Sequence, residues 1–456
     1  MTQLPNSPFK AYDIRGRVPS QLNPELARRI GHAYARVVRP KGPVAIGRDM
    51  RLSSDELAAA LARGLNEAGV DTLDIGLCGT ELVYHAASLS DMGGGIMVTA
   101  SHNPADYNGM KMVRELAIPI SGDTGLGEME QLLANRAEAV TATRSGQHGQ
   151  LDVTDSYCQR LLGMIQLDRI QPLKLVVNSG NGCAGPFFDR LAASLPLDVL
   201  RLHHQPDGHF PNGVPNPLLP ENREVTAQAV RDHGADFGVA WDGDFDRCFF
   251  FDHQGRFIEG YYLVGLFAAQ LLAREPGAGI VLDPRLTWNT LELVEQAGGT
   301  ALINKSGHAF IKERMRRENA LYGGEMSAHH YFRDFSYCDS GMIPWLLLAE
   351  ILSTTGASLA ELVDQRIAAF PCSGEINFSV DSTAAVIEAV LAHYAGDDAR
   401  LDRTDGISLE FAGWRFNLRA SNTEPVIRLN VETRANPALL AEKVAELSAM
   451  IKTGHA

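Results

Sequence analysis

The stretch GGGIMVTASHNPADYNGMKMV, residues 93 to 113, runs apolar from Ile96 to Ala100 and then stops on Ser101-His102-Asn103-Pro104. A serine at the carboxyl end of a buried strand, beside an imidazole and ten residues before Lys111, is placed like a nucleophile. Loop amides at a strand end form an anion-binding concavity, and His102, Lys111 or Arg15 can manage the proton and the charge of a covalent phosphate. Asn-Pro is also an ordinary turn signal, so the stretch by itself leaves both readings open.

A second cluster is GVAWDGDFDRCFFFD, residues 238 to 252, where Asp242, Asp244 and Asp246 alternate directly after an apolar run. Alternate residues of an extended segment point the same way, so the three carboxylates are expected to converge on one hard cation. A calcium EF-hand needs Gly at its sixth position and Glu at its twelfth, and this loop has Arg247 and His253 there. Mg²⁺ suits the set, because it keeps coordination positions open for a phosphate oxygen.

Two further loops carry polar groups at close spacing. In YGGEMSAHHYF, residues 322 to 332, Glu325, Ser327 and His329 recur at every second position, a row able to hold vicinal sugar hydroxyls. In RASNTEPVIRLNVE, residues 419 to 432, Arg419, Ser421, Asn422 and Thr423 share one turn, with Arg428 on the following strand. Guanidinium forks, hydroxyls and loop amides together suit a phosphate group.

The elements that must position these loops are legible too. VAIGRD at 44 to 49, LKLVVNSGNGCAG at 173 to 185 and GIVLDPRLTWNT at 279 to 290 are apolar runs that end in small or polar residues and lead into helix-like sequence. That is the first half of a βαβ unit, and its threefold recurrence predicts three α/β modules of similar plan. Beyond residue 370 the pattern changes: GEINFSV, ISLEF, WRFNLRA and PVIRLNVE read as strands, STAAVIEAVLAHYA and PALLAEKVAELSAMI as helices, giving an α+β module. The polar stretches near 142 to 151, at His253-Gln254-Gly255 and at 368 to 374 predict domains at 1–148, 149–254, 255–369 and 370–456.

A chain of 456 residues exceeds one ordinary core, in keeping with several domains. Its 41 Lys+Arg against 55 Asp+Glu leave a net charge of −14, which argues against a nucleic-acid partner. Six scattered cysteines form no CxxC pair and are expected to be reduced thiols. The opening MTQLPNSPFKAYDIRG has no basic stretch followed by an apolar run, and the longest apolar segment, residues 260 to 273, is too short for a membrane span. A cytoplasmic protein without a membrane partner is therefore expected. No sequence suggests an interface helix, and a monomer is the expectation.

Taken in order, TASHNP, DGDFDR, GEMSAHHYF and RASNTEP resemble the serine, metal, sugar and phosphate loops of the α-D-phosphohexomutase superfamily, and the likeness runs from AYDIRG at 11 to 16 to the C-terminal helix. The GEMS form resembles the bifunctional phosphomannomutase/phosphoglucomutase group. The resemblance implies three similar α/β domains with mixed sheets and a last domain of TATA-binding-protein-like topology, around a central cleft. It implies that Ser101 is a phosphoserine, that Asp242, Asp244 and Asp246 bind Mg²⁺ with the phosphoserine as a further ligand, that Glu325 and Ser327 bind the sugar's O3 and O4, and that Arg419, Ser421, Asn422 and Thr423 bind the phosphate that is not reacting. Tyr12, Arg15, His102, Lys111, Arg247, His308 and His329 match positions lining the cleft.

The implied reaction interconverts hexose 1- and 6-phosphates of mannose and glucose through a 1,6-bisphosphate, with glucose 1,6-bisphosphate as activator. The general acid and base are to be found among His102, Lys111 and His329, with Arg15 assisting. A phosphatase, a silent sugar-phosphate sensor and a phosphoglucosamine mutase are the rival readings. Three positions depart from the family pattern: Arg285 where lysine is common, Ala328 where glycine is usual and followed by a second histidine, His330, of unassigned role, and Gly213-Val214 inserted in the proline-rich loop 206 to 222.

Overall fold

A computed structural model describes residues 7–135, 142–396, 398–420 and 426–453. They form two compact units. The first takes the chain up to Phe257 and adds His329–Gly356; the second comprises Ile258–Ala328 and the chain from Ala357 onward.

The first unit holds two sheets and the antiparallel strand pair His330–Phe332 and Cys338–Asp339. One has six strands, in the order Ile14–Arg17, Tyr107–Arg114, Gly94–Val98, Val44–Arg48, Thr72–Leu77 and His148–Gln150. The strand Val44–Arg48 pairs in parallel with both Thr72–Leu77 and Gly94–Val98, whereas Tyr107–Arg114 runs antiparallel to Gly94–Val98. In the other sheet Leu173–Asn178 lies parallel to Leu197–Leu202 and Phe237–Trp241, and Cys248–Asp252 returns antiparallel to Phe237–Trp241. Strands covered on both faces have no reason to alternate: Ile96, Met97 and Val98, and likewise Val176 and Val177, are fully buried. Helix Met342–Thr355 is buried almost all round, and Trp345 meets Phe188 at 4.9 Å between ring centroids.

In the second unit Gly279–Leu282 lies parallel to Thr300–Ile303 and to Tyr322–Gly324. The apolar segment 260 to 273 is the buried helix Gly260–Leu272. The chain beyond 370 builds a five-stranded antiparallel sheet, ordered Ile376–Ser379, Val426–Thr433, Trp414–Ala420, Ile407–Glu410 and Arg400–Asp402, with helices Thr383–His393 and Pro437–Thr453. The four strands read from sequence are there; Arg400–Asp402, a short and exposed edge, carries too little apolar pattern to be seen. The three α/β runs lead, as expected, from the strands at 44, 173 and 279. All six cysteines are free thiols. Among the described residues no single helix is long and apolar enough to cross a membrane.

Helices Pro24–Val38 and Ser54–Glu67 pack closely enough to need glycine: a Cβ on Gly64 would lie 1.9 Å from the Arg28 carbonyl oxygen. That backbone cannot yield without moving the helix. Gly64→Ala is therefore expected to lose about 2 kcal/mol of stability, read as a lower urea midpoint for the first unit.

Candidate active site

The buried strand Gly94–Val98 delivers Thr99, Ala100 and Ser101 to its carboxyl end. Ser101 is 2% exposed and sits at φ 50°, the left-handed region that a side chain normally avoids. Its hydroxyl donates to Asp242 Oδ2 at 2.7 Å and lies 3.0 Å from His102 Nδ1. The backbone is thus bent to aim one oxygen at the aspartate loop.

That loop converges, though by a different geometry from the extended one expected. Cys248 pairs opposite Trp241, so residues 242 to 247 are a tight hairpin connection, with Phe245 at φ 44°. The turn, not strand alternation, brings carboxylate oxygens of Asp242, Asp244 and Asp246 within 4.8 Å of one another. Gly243 makes the close approach possible, since a Cβ there would lie 2.6 Å from the Ser101 carbonyl oxygen.

Three buried carboxylates repel one another and lose hydration, so cations must offset them. Lys111 donates to Asp244 at 2.6 Å and also to Asp246, and Arg247 forks onto Asp242 Oδ2 through Nε at 2.8 Å and Nη2 at 2.7 Å. Burial lowers the Lys111 amine, but Asp244 and Asp246 outweigh it and hold the ammonium above its ordinary range. Asp244 is brought below the usual carboxylate range by Lys111 and the Thr80 hydroxyl against the pull of burial, while burial and Asp244 push Asp246 up. One oxygen each of Asp244 and Asp246 is buried with no hydrogen-bond partner. Converging carboxylates with unpartnered oxygens are a donor set fitting a small hard cation.

Around this centre lie the other residues expected in the first unit. Arg15 pairs with Asp13 at 2.8 Å and reaches the serine loop, donating to Ala100 O and to Asn103 Oδ1 at 2.7 Å. Burial and the cations Arg247, Arg15 and Lys111 push the His102 imidazole well below its ordinary value. His329 bridges backbone to backbone with Arg247, and its Nδ1 lies 3.1 Å from buried Asp339. Tyr12 is half-buried in the bend before Ile14–Arg17.

The second unit holds the remaining residues. Arg285, 2% exposed at its side chain, forks onto Asp283 with both contacts at 2.9 Å, donates to Ser327 Oγ at 3.1 Å and pairs with Glu375 at 3.2 Å. Asp283 also accepts the Met326 amide at 2.9 Å, so Arg285 and Asp283 hold the Glu325–Ser327 turn. Glu325 accepts the Gly307 amide at 3.0 Å, just before His308 opens the helix His308–Glu318. Arg419 and Arg428 are cross-strand partners, and both lean on Glu375, at 3.6 Å and 3.2 Å. Burial alone would raise the Glu375 carboxyl, but Arg285, Arg428 and Arg419 bring it below its ordinary value. Asp283 and Glu325 also face Arg285, and Asp405 faces Arg419 at 3.8 Å, so it is the clustered guanidinium donors, not an excess of charge, that suit a phosphate. Ser421, Asn422 and Thr423 lie outside the described residues.

Models of four consecutive domains of one family match the chain: phosphoglucomutase/phosphomannomutase alpha/beta/alpha domain I at residues 6–139, domain II at 155–255, domain III at 259–370 and the C-terminal domain at 375–450. The chain belongs to the phosphoglucomutase/phosphomannomutase family. It is 60% identical to proteins described as phosphohexose mutases in Xanthomonas campestris pv. campestris, over 97% of this chain and 99% of the relative. It is 56% identical to a phosphomannomutase of Escherichia coli over 99% of this chain and 100% of that one. A crystal structure of a phosphoglucomutase/phosphomannomutase family protein from Burkholderia thailandensis superposes with a TM-score of 0.88 at 36% identity, covering 99% of this chain and 98% of that one. This member of the phosphoglucomutase/phosphomannomutase family is a hexose-phosphate mutase.

In each unit the candidate side chains are held by residues that sequence reasoning passed over. Thr80 donates to Asp244, Asp283 orients Arg285, Glu375 gathers the arginines, and Asp339 anchors His329. Asp283, in DPRL, and Glu375, in GEINFSV, sat in stretches read only for their strands. The others become neighbours solely through the fold. Ala328 occupies φ 69°, which accounts for glycine being usual there.

His330 is fully buried on the strand His330–Phe332, and burial, with His329, pushes its imidazole down to about 3. The unfolded chain protonates this residue below about 6.5. Its contribution to stability is complete above that pH and is lost as pH falls toward the folded value. His330→Gln is expected to flatten the fall of the urea midpoint between pH 6.5 and 5; an unchanged slope would assign that fall to other groups.

Proposed function

We propose that this mutase interconverts the 1- and 6-phosphates of mannose and glucose, with Ser101 as phosphoryl carrier. The observation that carries the reading is the Ser101 hydroxyl, held 2.7 Å from one of three converging buried aspartates with Lys111 and Arg247 beside them. Asp242, Asp244 and Asp246, with the serine oxygen, would hold Mg²⁺, which when bound supplies charge neutralisation at a phosphoryl group.

Phosphorylated Ser101 gives its phosphoryl group to the free hydroxyl of a hexose monophosphate. The Oγ–P bond breaks, a sugar O–P bond forms, and the hydroxyl proton passes to a base. The resulting 1,6-bisphosphate returns its other phosphoryl group to Ser101 after turning over. Arg15 and Lys111 supply positive charge where it develops, and His102, Lys111 and His329 are the groups placed to move the proton. His329 is oriented by Asp339 at 3.1 Å.

Glu325 and Ser327 would hold O3 and O4, hydroxyls common to mannose and glucose, so the difference at C2 passes unread. Arg419 and Arg428, with Ser421, Asn422 and Thr423, would take the distal phosphate, and Tyr12, Arg247 and His308 complete the binding surface. Arg285 has three acidic partners, Asp283, Glu325 and Glu375, and keeps its charge, so its part is to brace Glu325 and Ser327, not to transfer protons. The loops are supplied by domains at 1–148, 149–254, 255–369 and 370–456, and we propose a cytoplasmic monomer, since one chain carries every group named.

The test is formation of glucose 6-phosphate from glucose 1-phosphate, and of mannose 6-phosphate from mannose 1-phosphate, with Mg²⁺ and trace glucose 1,6-bisphosphate. Ser101→Ala is expected to lower kcat at least roughly 1000-fold, and Glu325→Gln to lower kcat/KM roughly 100-fold. Chelation of Mg²⁺ should abolish turnover and its return restore it. Release of inorganic phosphate in step with substrate loss would make the chain a phosphatase, and turnover of glucosamine phosphate alone would reassign the sugar.

A further inference from the structure

Arg51 belongs to none of the four loops, yet its side chain is 1% exposed and lies beneath the serine. Its Nη2 donates to the carbonyls of Ser101 at 2.9 Å and Asn103 at 2.6 Å. Its Nη1 donates to those of Pro104 at 2.7 Å and Tyr107 at 2.9 Å. One planar guanidinium thus gathers four carbonyls of the segment 101 to 107.

Nε stands in ion-pair contact with Asp49 Oδ2 at 3.3 Å without a hydrogen bond to it, and the Arg51 backbone amide donates to Asp49 Oδ1 at 3.0 Å. Asp49 in turn accepts from Thr99 Oγ1 at 2.7 Å and from Ser54 Oγ at 2.6 Å. The Thr99 hydroxyl accepts the Ser101 amide at 2.8 Å. A closed circuit therefore runs from Arg51 to the Ser101 carbonyl, through the serine's own amide to Thr99, and back through Asp49. Both peptide groups that define the serine's backbone angles are held. That serine is the residue at φ 50°, a conformation that persists only where the surroundings over-determine it.

The loop 206 to 222 closes over the same arginine. Gly208 forms a backbone bridge with Arg51, and the Phe210 ring lies 5.2 Å from the guanidinium. A Cβ on Gly208 would fall 2.1 Å from the Met50 carbonyl oxygen, so only glycine lets the cover sit this close. Arg51, Asp49, Thr99 and Ser101 are each at most 3% exposed, so their hydrogen bonds form in a poorly solvated setting.

We propose that Arg51 is a positioning residue for phosphoryl transfer: it fixes the left-handed backbone of Ser101 and so the direction of its Oγ. The inference rests on Ser101 being the phosphoryl carrier. In-line transfer depends on reacting atoms placed to within a fraction of an ångström. Lysine keeps the charge but presents its donors from one point and cannot span four carbonyls.

The experiment compares Arg51→Lys and Thr99→Val with wild type at a temperature where circular dichroism shows each folded. For Arg51→Lys, kcat with glucose 1-phosphate is expected to fall roughly 100-fold while KM moves less than about threefold, and labelling of Ser101 from glucose 1,6-bisphosphate slows by the same factor. Thr99→Val breaks the circuit without removing the arginine and should lower kcat roughly tenfold with the same split. A folded Arg51→Lys with kcat within about threefold of wild type, or a loss confined to KM, overturns the proposal. If Arg51→Lys does not fold, Thr99→Val decides, and wild-type kcat there overturns it. Ser101→Ala run alongside separates the two claims: turnover in that variant removes the phosphoserine reading itself, whereas an inactive Ser101→Ala beside an unimpaired Arg51→Lys removes only the role of Arg51.

Discussion

The constraint on which the first unit turns is the crowding of three carboxylates out of water. Asp242, Asp244 and Asp246 are each at most 1% exposed, and repulsion between such groups in a poorly solvated site would expel them unless cations stood close. The surrounding sequence follows from that need. Lys111 arrives on the strand Tyr107–Arg114 and Arg247 from the hairpin itself, and Thr80 adds a hydroxyl. Glycine stands at 243 because the aspartate loop must press against the serine's carbonyl. The balance is left unfinished, with one oxygen each of Asp244 and Asp246 unpartnered, which is the arrangement on which the proposed cation site rests.

The second unit solves the opposite problem. Arg285, Arg419 and Arg428 crowd three positive charges around Glu375, and Asp283, Glu325 and Asp405 stand close enough to offset them. Arg285 shows how a departure from the family pattern is absorbed. Lysine in its place would offer one point charge, whereas the guanidinium forks onto Asp283 and still reaches Ser327, so it serves as a brace.

Much of this was legible in the chain. Contiguous apolar runs that end in polar residues marked the strands at 44, 173 and 279, because strands covered on both faces must be apolar throughout. Motifs marked Ser101, the three aspartates and Glu325, because their chemistry is concentrated within a few residues. What escaped was everything whose meaning depends on distant neighbours. Asp339 is an ordinary acid until the fold puts it against His329, and Asp49 and Arg51 read as strand-end charges until the serine loop lies on them. The alternation argument reached the right convergence by the wrong geometry, since periodicity cannot reveal that Cys248 pairs with Trp241 and forces a turn.

The central claim is that one serine carries the phosphoryl group between the two ends of the sugar. It is tested most directly by incubating the protein with glucose 1,6-bisphosphate labelled in its phosphates, mapping the labelled peptide by mass spectrometry, and then chasing with unlabelled glucose 1-phosphate. The account predicts one phosphoryl group per chain, on Ser101, that moves to the sugar at a rate sufficient for turnover. A protein that turns over hexose phosphate while Ser101 stays unlabelled, or whose label at Ser101 does not chase, would contradict it.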